Sequence, residues 1–182
     1  MKDPKAAERL KKATRSIKDY PKKGIIFRDL TTILQDGECF SLAIDMLEDF
    51  LIDPKSGERI YDKLAGVEAR GFILAGALAG RLGGGVVMIR KPGKLPREVL
   101  TYDYSLEYGT NTLCMHKDAI KSGDRVVIMD DLLATGGTVS ATVKLVEQAG
   151  GEVVGLGFMI ELLDLNGRAL IKDYPNKVLM TY

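Results

Sequence analysis

The 182-residue chain has little of what most often gives a sequence away. It carries one histidine, His116, and two cysteines, Cys39 and Cys114. That is too few for a disulfide framework or a Cys/His metal cluster. A lone histidine without a partner pattern reads as structural, and Cys39 as an inert small residue. A reducing cytoplasm is the simplest home for such a chain. No apolar run approaches the roughly 20 residues of a membrane span, and the basic stretch 1–16 lacks the apolar centre of a secretory signal. Neither sign of charge is in excess: 26 Lys and Arg stand against 25 Asp and Glu. A general attraction to nucleic acid or membrane is thereby excluded, and any anion site must be local.

What is present is an alternation of strand and helix patterns that fits one domain. A short apolar strand at 64–67 leads through Glu68, Ala69, Arg70 and Gly71 into a helical pattern at 72–82. Gly83, Gly84 and Gly85 stop that helix, and 86–89 reads as the next strand. A second such unit runs from a strand at 126–129, through a helix at 139–149, to a strand at 153–160. The class is therefore α/β, with a mostly parallel central sheet flanked by helices, and ligands belong beyond the carboxyl ends of its strands. The loops 68–71 and 130–138 should share one crevice. Elsewhere, 40–52 carries a helical apolar stripe, and 6–17 reads as a charged helix with a narrow stripe through Leu10 and Ile17. Residues 101–108 and 112–115 read as a hairpin turned at Gly109, with aromatic cross-strand pairs. The end of the chain, 177–182, is strand-like.

The segment RVVIMDDLLATGGT, 125–138, concentrates the chemistry. An apolar strand delivers two carboxylates, Asp130 and Asp131, and then the small residues Ala134, Thr135, Gly136, Gly137 and Thr138 at a helix start. Small residues let backbone N–H groups converge, and the helix terminus adds unpaired donors, so a phosphate fits there. The lysine of a G-x-x-x-x-G-K-[ST] loop is missing, which points to a single phosphate monoester rather than a nucleoside triphosphate. Ionised Asp130 and Asp131 only accept hydrogen bonds and should face hydroxyls or a cation. On spacing alone a bland reading stays open, in which one Asp caps a turn and the glycines reverse the chain.

The string VVIMDDLLATGGT resembles the phosphoribosyl-diphosphate-binding motif of type I phosphoribosyltransferases, and its DDLLATGGT form is similar to that of members acting on adenine. PKKGIIFRDLTTIL, VEARGF, IRKPGKLPRE, SLEYG and ELLDLNGR extend the resemblance over nearly the whole chain. It implies the type I phosphoribosyltransferase fold: a hood at about 1–35, a core at about 36–182, and a flexible lid hairpin at about 95–115. The implied reaction makes AMP and diphosphate from adenine and 5-phosphoribosyl 1-diphosphate, with magnesium as cofactor and a homodimer as the usual assembly. Ala134 to Thr138 would anchor the ribose phosphate, and Asp130 and Asp131 the ribose hydroxyls, with magnesium held mainly by the substrate. Arg70, Arg90, Lys91 and Lys94 would meet the diphosphate. The loop at 68–71 can hold a non-proline cis peptide in this family. Ile26 and Arg28 would read the base edge through their backbone, with Phe27 on one face of the purine and Leu132 on the other. Glu107 would manage the proton, and Tyr108 would stand near the reacting centre. A related enzyme for hypoxanthine, xanthine or orotate is the nearer alternative. An effector-binding regulatory module is the farther one, because the chain has no room for a helix-turn-helix region.

Overall fold

The computed structural model describes residues 5–105 and 110–182. In chain order, the amino-terminal part comprises α1 (Ala6–Ala13), β1 (Arg15–Lys18), β2 (Ile26–Asp29), α2 (Thr31–Gln35) and α3 (Gly37–Leu51). The first crossover unit is β3 (Lys63–Val67), α4 (Arg70–Leu82) and β4 (Gly85–Ile89). A hairpin follows, β5 (Val99–Ser105) with β6 (Thr110–His116). The second unit is β7 (Arg125–Leu133), α5 (Gly137–Gln148) and β8 (Glu152–Glu161). Two single 3-10 turns, Leu163–Leu165 and Gly167–Leu170, lead to β9 (Asn176–Thr181).

Five strands form one parallel sheet in the order β4-β3-β7-β8-β9. On one face Val127 and Met129 pack with Leu47 and Leu51 of α3 and Leu74 and Leu78 of α4. On the other, Ile128 and Phe158 pack with Val139, Val143 and Val146 of α5 and with Leu113 and Met115 of the hairpin. Burial on both faces is why these strands read as unbroken apolar runs rather than alternating ones. Each such side chain, fully buried, contributes about 1.5–3 kcal/mol of transfer free energy. The chain winds outward from β3 to β4 and then back past it to β7, β8 and β9. The winding direction therefore changes between β3 and β7, and the crevice at their carboxyl ends is where an open α/β sheet takes a ligand.

Three sequence expectations change. The amino-terminal helix ends at Ala13 rather than continuing to 17. Thr14 is buried and turns its hydroxyl back onto the Leu10 carbonyl at 2.9 Å. The next four residues then pair antiparallel with β2, placing Ile17 opposite Phe27. Leu10 is fully buried whereas Ile17 is exposed, so the expected stripe does not exist as one surface. Next, β7 does not stop at the acidic pair. It continues through it, because Asp130, Leu132 and Leu133 keep their register with Phe158, Ile160 and Glu161 of β8. Last, the described residues of the hairpin form no aromatic pair, since Tyr102 lies opposite Leu113 and Tyr104 opposite Asn111, and the expected turn at Gly109 lies outside the described residues.

Candidate active site

Strand β3 runs from Val67 into Glu68, and the Glu68–Ala69 peptide is cis, as the resemblance allows. Helix α4 begins at Arg70. Its second residue is Gly71 because β7 leaves no room for a side chain. A Cβ there would stand 2.5 Å from the Met129 carbonyl oxygen and 3.3 Å from the Asp130 Cα. The helix start is thereby brought against the strand that carries the acidic pair.

Asp130 and Asp131 are each 8% exposed. The Asp131 N–H donates to the Asp130 carboxylate at 2.9 Å, and the Arg70 Nε–H donates to the Asp131 carboxylate. The two loops predicted to share a crevice are thus joined by an ion pair across β3 and β7. Burial first, and then the charge of Asp131, push the Asp130 carboxyl well above the ordinary carboxylate range, and Arg70 offsets only part of this. Among the described residues, no group of three or more His, Cys, Asp and Glu side chains is gathered for a metal ion. The pair suits a cation that arrives already held by a ligand, or a set of hydroxyl donors.

Beyond Leu133 the chain encloses a recess of about 50 Å³, lined by Asp130 and residues 132–139. The recess is small and polar enough to seat a group of phosphate size among the loop's backbone N–H groups. Gly136 has φ +85° and caps α5 from the left-handed region. The first α5 hydrogen bond runs from the Ser140 N–H to the Gly136 carbonyl at 2.9 Å. The N–H groups of residues 137–139 therefore have no partner inside the helix and stand at its positive end. Thr135 is exposed, and Thr138 is half-buried.

The basic loop leaves β4 beside this crevice. Arg90 donates from Nε to Glu68 at 2.8 Å and from a terminal nitrogen to the Lys94 carbonyl at 2.9 Å. Arg90, then the Lys91 N–H and the Lys94 charge, hold the Glu68 carboxylate below its usual range, although its own burial works against them. Lys91 and Lys94 are exposed. Arg90 is thus a fixed brace between β3 and the basic loop, and the two lysines are its solvent-facing cations.

In the hood, Phe27 is half-buried and meets Tyr20 edge to face, with ring centroids 5.2 Å apart. Ile26 is exposed. The Arg28 side chain donates to Ser16 and lies over the Tyr182 ring at 4.2 Å, which leaves only its backbone for a ligand. Asp29 ends β2 with its carboxyl lowered by hydrogen bonds from Thr31 and, further, by the charges of Arg15 and Arg70. Leu132 is half-buried and packs against the core beneath the hood, which includes Leu10, Leu30 and Ile33. Glu107 and Tyr108 lie outside the described residues.

Residues 32–179 match the phosphoribosyl transferase domain family. Over 168 residues the chain is 54% identical to the adenine phosphoribosyltransferase of Alkaliphilus metalliredigens, covering 92% of this chain and 96% of that protein. The chain belongs to the adenine phosphoribosyltransferase family. A solved adenine phosphoribosyltransferase from Thermoanaerobacter pseudethanolicus superposes with a TM-score of 0.89 at 49% identity, covering 97% of this chain and 99% of that one. The Saccharomyces cerevisiae enzyme, solved with D-2,5-dideoxy-2,5-imino-altritol 1,6-bisphosphate and adenine, gives 0.90 at 36% identity, again covering 97% and 99%. The type I phosphoribosyltransferase fold is thereby shown, with its five-stranded parallel core.

Within this member of the adenine phosphoribosyltransferase family, sequence reasoning overlooked three neighbours of the site. From sequence Glu68 is only part of a loop, whereas the structure makes it the anchor of Arg90. Tyr104 reads from sequence as a hairpin tyrosine, yet its hydroxyl lies 3.2 Å from that of Thr138, and its ring packs on Gly137, where an added Cβ would stand 3.3 Å from it. Gly167, inside ELLDLNGR, is buried against the backbone of Ala134 and Gly136. Only the Glu68 contact had a local signal, an acid and a base at the carboxyl ends of strands 64–67 and 86–89, which the parallel sheet makes neighbours.

Proposed function

We propose that this chain performs its family's reaction with the residues gathered at the β3–β7 crevice, transferring the 5-phosphoribosyl group of 5-phosphoribosyl 1-diphosphate to adenine. The observation that carries the reading is the Arg70–Asp131 ion pair, which ties a diphosphate-side loop to the strand leading into the phosphate recess. The recess at residues 134–138 takes the 5-phosphate on backbone N–H groups and the Thr135 and Thr138 hydroxyls. Asp130 and Asp131 accept hydrogen bonds from the ribose hydroxyls and stabilise positive charge developing at the anomeric carbon. Arg70, Lys91 and Lys94 face the diphosphate as its bond to that carbon breaks, with Arg90 bracing the basic loop from Glu68.

Magnesium fits here as a companion of the substrate. It would neutralise part of the diphosphate charge when bound, and the acidic pair is the protein surface it would approach. The purine lies between Phe27 and Leu132, with its edge read by the backbone at Ile26 and Arg28, and its nitrogen forms the new bond to the anomeric carbon. Glu107 takes the proton that this nitrogen loses. Flat apolar walls with backbone donors and acceptors select a neutral heterocycle. The hood, about residues 1–35, supplies the base pocket to a core that holds the sugar and both phosphate sites.

A homodimer forms through the outer side of β4. Val87 and Ile89 are buried under the hairpin side of the sheet, so Val86 and Met88 point to the α4 side. There they are 43% and 40% exposed, and Ile73 of α4 is 44% exposed. Apolar groups of this size on an edge strand suit a symmetric partner.

The decisive assay incubates the protein with magnesium, phosphoribosyl diphosphate and one base at a time. AMP from adenine, with far slower turnover of hypoxanthine, xanthine and orotate, is the expected result. No nucleotide from adenine would refute the reading.

A further inference from the structure

The rear of the phosphate loop is closed by backbone rather than by side chains. Gly167 is buried in the second 3-10 turn. A Cβ on it would stand 2.1 Å from the Ala134 carbonyl oxygen and 2.9 Å from the Gly136 nitrogen. From the opposite side, a Cβ on Gly136 would meet the Gly167 carbonyl oxygen at 2.6 Å. Two segments far apart in the chain therefore touch main chain to main chain behind the recess.

The turn that carries Gly167 is itself held firmly. Glu161, at the end of β8, is 3% exposed. Arg168 grips it with two donors, Nε to Oε1 at 3.0 Å and a terminal nitrogen to Oε2, and donates a third bond to Asn176. A two-pronged guanidinium–carboxylate contact fixes orientation as well as distance. The start of the turn is pinned separately, by Leu162 N–H to the Leu133 carbonyl at 3.0 Å and by Leu163 N–H to the Tyr182 carbonyl at 2.9 Å. Gly167 is therefore presented to the loop from a rigid support.

We infer that the segment 163–170 is the back wall that sets the curvature of the phosphate loop, and that Gly167 and Arg168 are positioning residues for the ribose phosphate. The inference rests on the assignment of the 134–138 loop to the 5-phosphate. Backbone donors hold a phosphate only when they converge on one point, so a wall that moves by a few tenths of an ångström spreads them. The groups assigned to diphosphate sit on other elements, at the starts of α4 and of the basic loop. Damage to the wall should thus separate the two ligands.

The test is calorimetric binding of ribose 5-phosphate and of magnesium diphosphate to the wild type, Gly167→Ala, Arg168→Ala and Arg168→Lys, with thermal melting of each. Gly167→Ala should weaken ribose 5-phosphate at least tenfold while diphosphate stays within twofold. Arg168→Ala should show the same selectivity at several-fold, and Arg168→Lys should recover part of it. In turnover, KM for phosphoribosyl diphosphate should rise with kcat little changed. Should Gly167→Ala not fold, the two Arg168 variants decide. Equal loss of both ligands, or no loss of either, overturns the back wall. Failure of the wild type to bind ribose 5-phosphate overturns the loop assignment, and the wall with it.

Discussion

Replacing Asp130 by Asn should make the free protein more stable while destroying its activity. Asp130 is almost fully buried, and its carboxyl is pushed upward by that burial and by the charge of Asp131. The amide keeps the local bond, since its oxygen still accepts the Asp131 N–H now held at 2.9 Å, and it exchanges the other, charged oxygen for a neutral NH2 donor. The native state keeps the Asp130 proton to higher pH than the unfolded chain, in which Asp titrates near 3.9. Between those two values the native state binds more protons, so wild-type stability falls as pH rises through the folded value. An amide does not titrate. The advantage of Asp130→Asn should therefore be small near pH 4 and should widen towards pH 8. A buried polar group left partly uncompensated costs roughly 1–3 kcal/mol. For a chain of this length each kcal/mol moves the melting temperature by about 2–4 °C, so the gap at pH 8 should reach about 2–12 °C. Melting curves for both proteins in metal-free, ligand-free buffer across this pH range measure it. Turnover should fall by about 100-fold or more, the scale of a lost transition-state contact. A variant that melts below the wild type at pH 8, or a gap that does not widen with pH, would refute the electrostatic description of the pair.

Three further outcomes follow from the same geometry. Arg70→Ala removes the partner of Asp131 and a cation from the diphosphate side. A charge-assisted hydrogen bond contributes about 1.5–3 kcal/mol, so KM for phosphoribosyl diphosphate should rise about tenfold or more in steady-state kinetics, and an unchanged KM would count against its role. Tyr104→Phe deletes the hydroxyl that meets Thr138 but keeps the ring against Gly137. The same KM should rise about two- to tenfold, the value of one neutral hydrogen bond, with KM for adenine unchanged. Met88→Lys on the exposed side of β4 should shift the protein from dimer to monomer in sedimentation, and a wild type that already sediments as a monomer would remove the proposed interface.

Where the sequence was informative, the reason was local. The two crossover units were legible because strands buried on both faces must be apolar throughout, and because glycines at 83–85 and 150–151 mark the helix ends. The acidic pair and the small-residue loop were legible because their chemistry lies within nine consecutive residues, 130–138. What escaped lies in contacts between distant segments. Arg70 and Asp131 are 61 residues apart, Tyr104 and Thr138 are 34 apart, and Arg90 and Glu68 are 22 apart. The family resemblance marks Arg70 and Arg90 as diphosphate cations, but it does not show that each is already engaged by a carboxylate. Gly167 offered no signal, since a glycine that touches another backbone looks like one that merely turns the chain. The amino-terminal helix looks too long in the sequence because Ile17 continues the apolar spacing of Leu10, while its pairing with Phe27 is visible only once β1 and β2 meet.

A crystal structure of the protein with AMP tests the assignment of the Asp130–Thr138 segment most directly. Phosphate oxygens within about 3 Å of the N–H groups of residues 135–138, ribose hydroxyls on Asp130 and Asp131, and the purine between Phe27 and Leu132 are the expected result. A phosphate seated instead among Arg90, Lys91 and Lys94, with the 134–138 recess left to solvent, would contradict it.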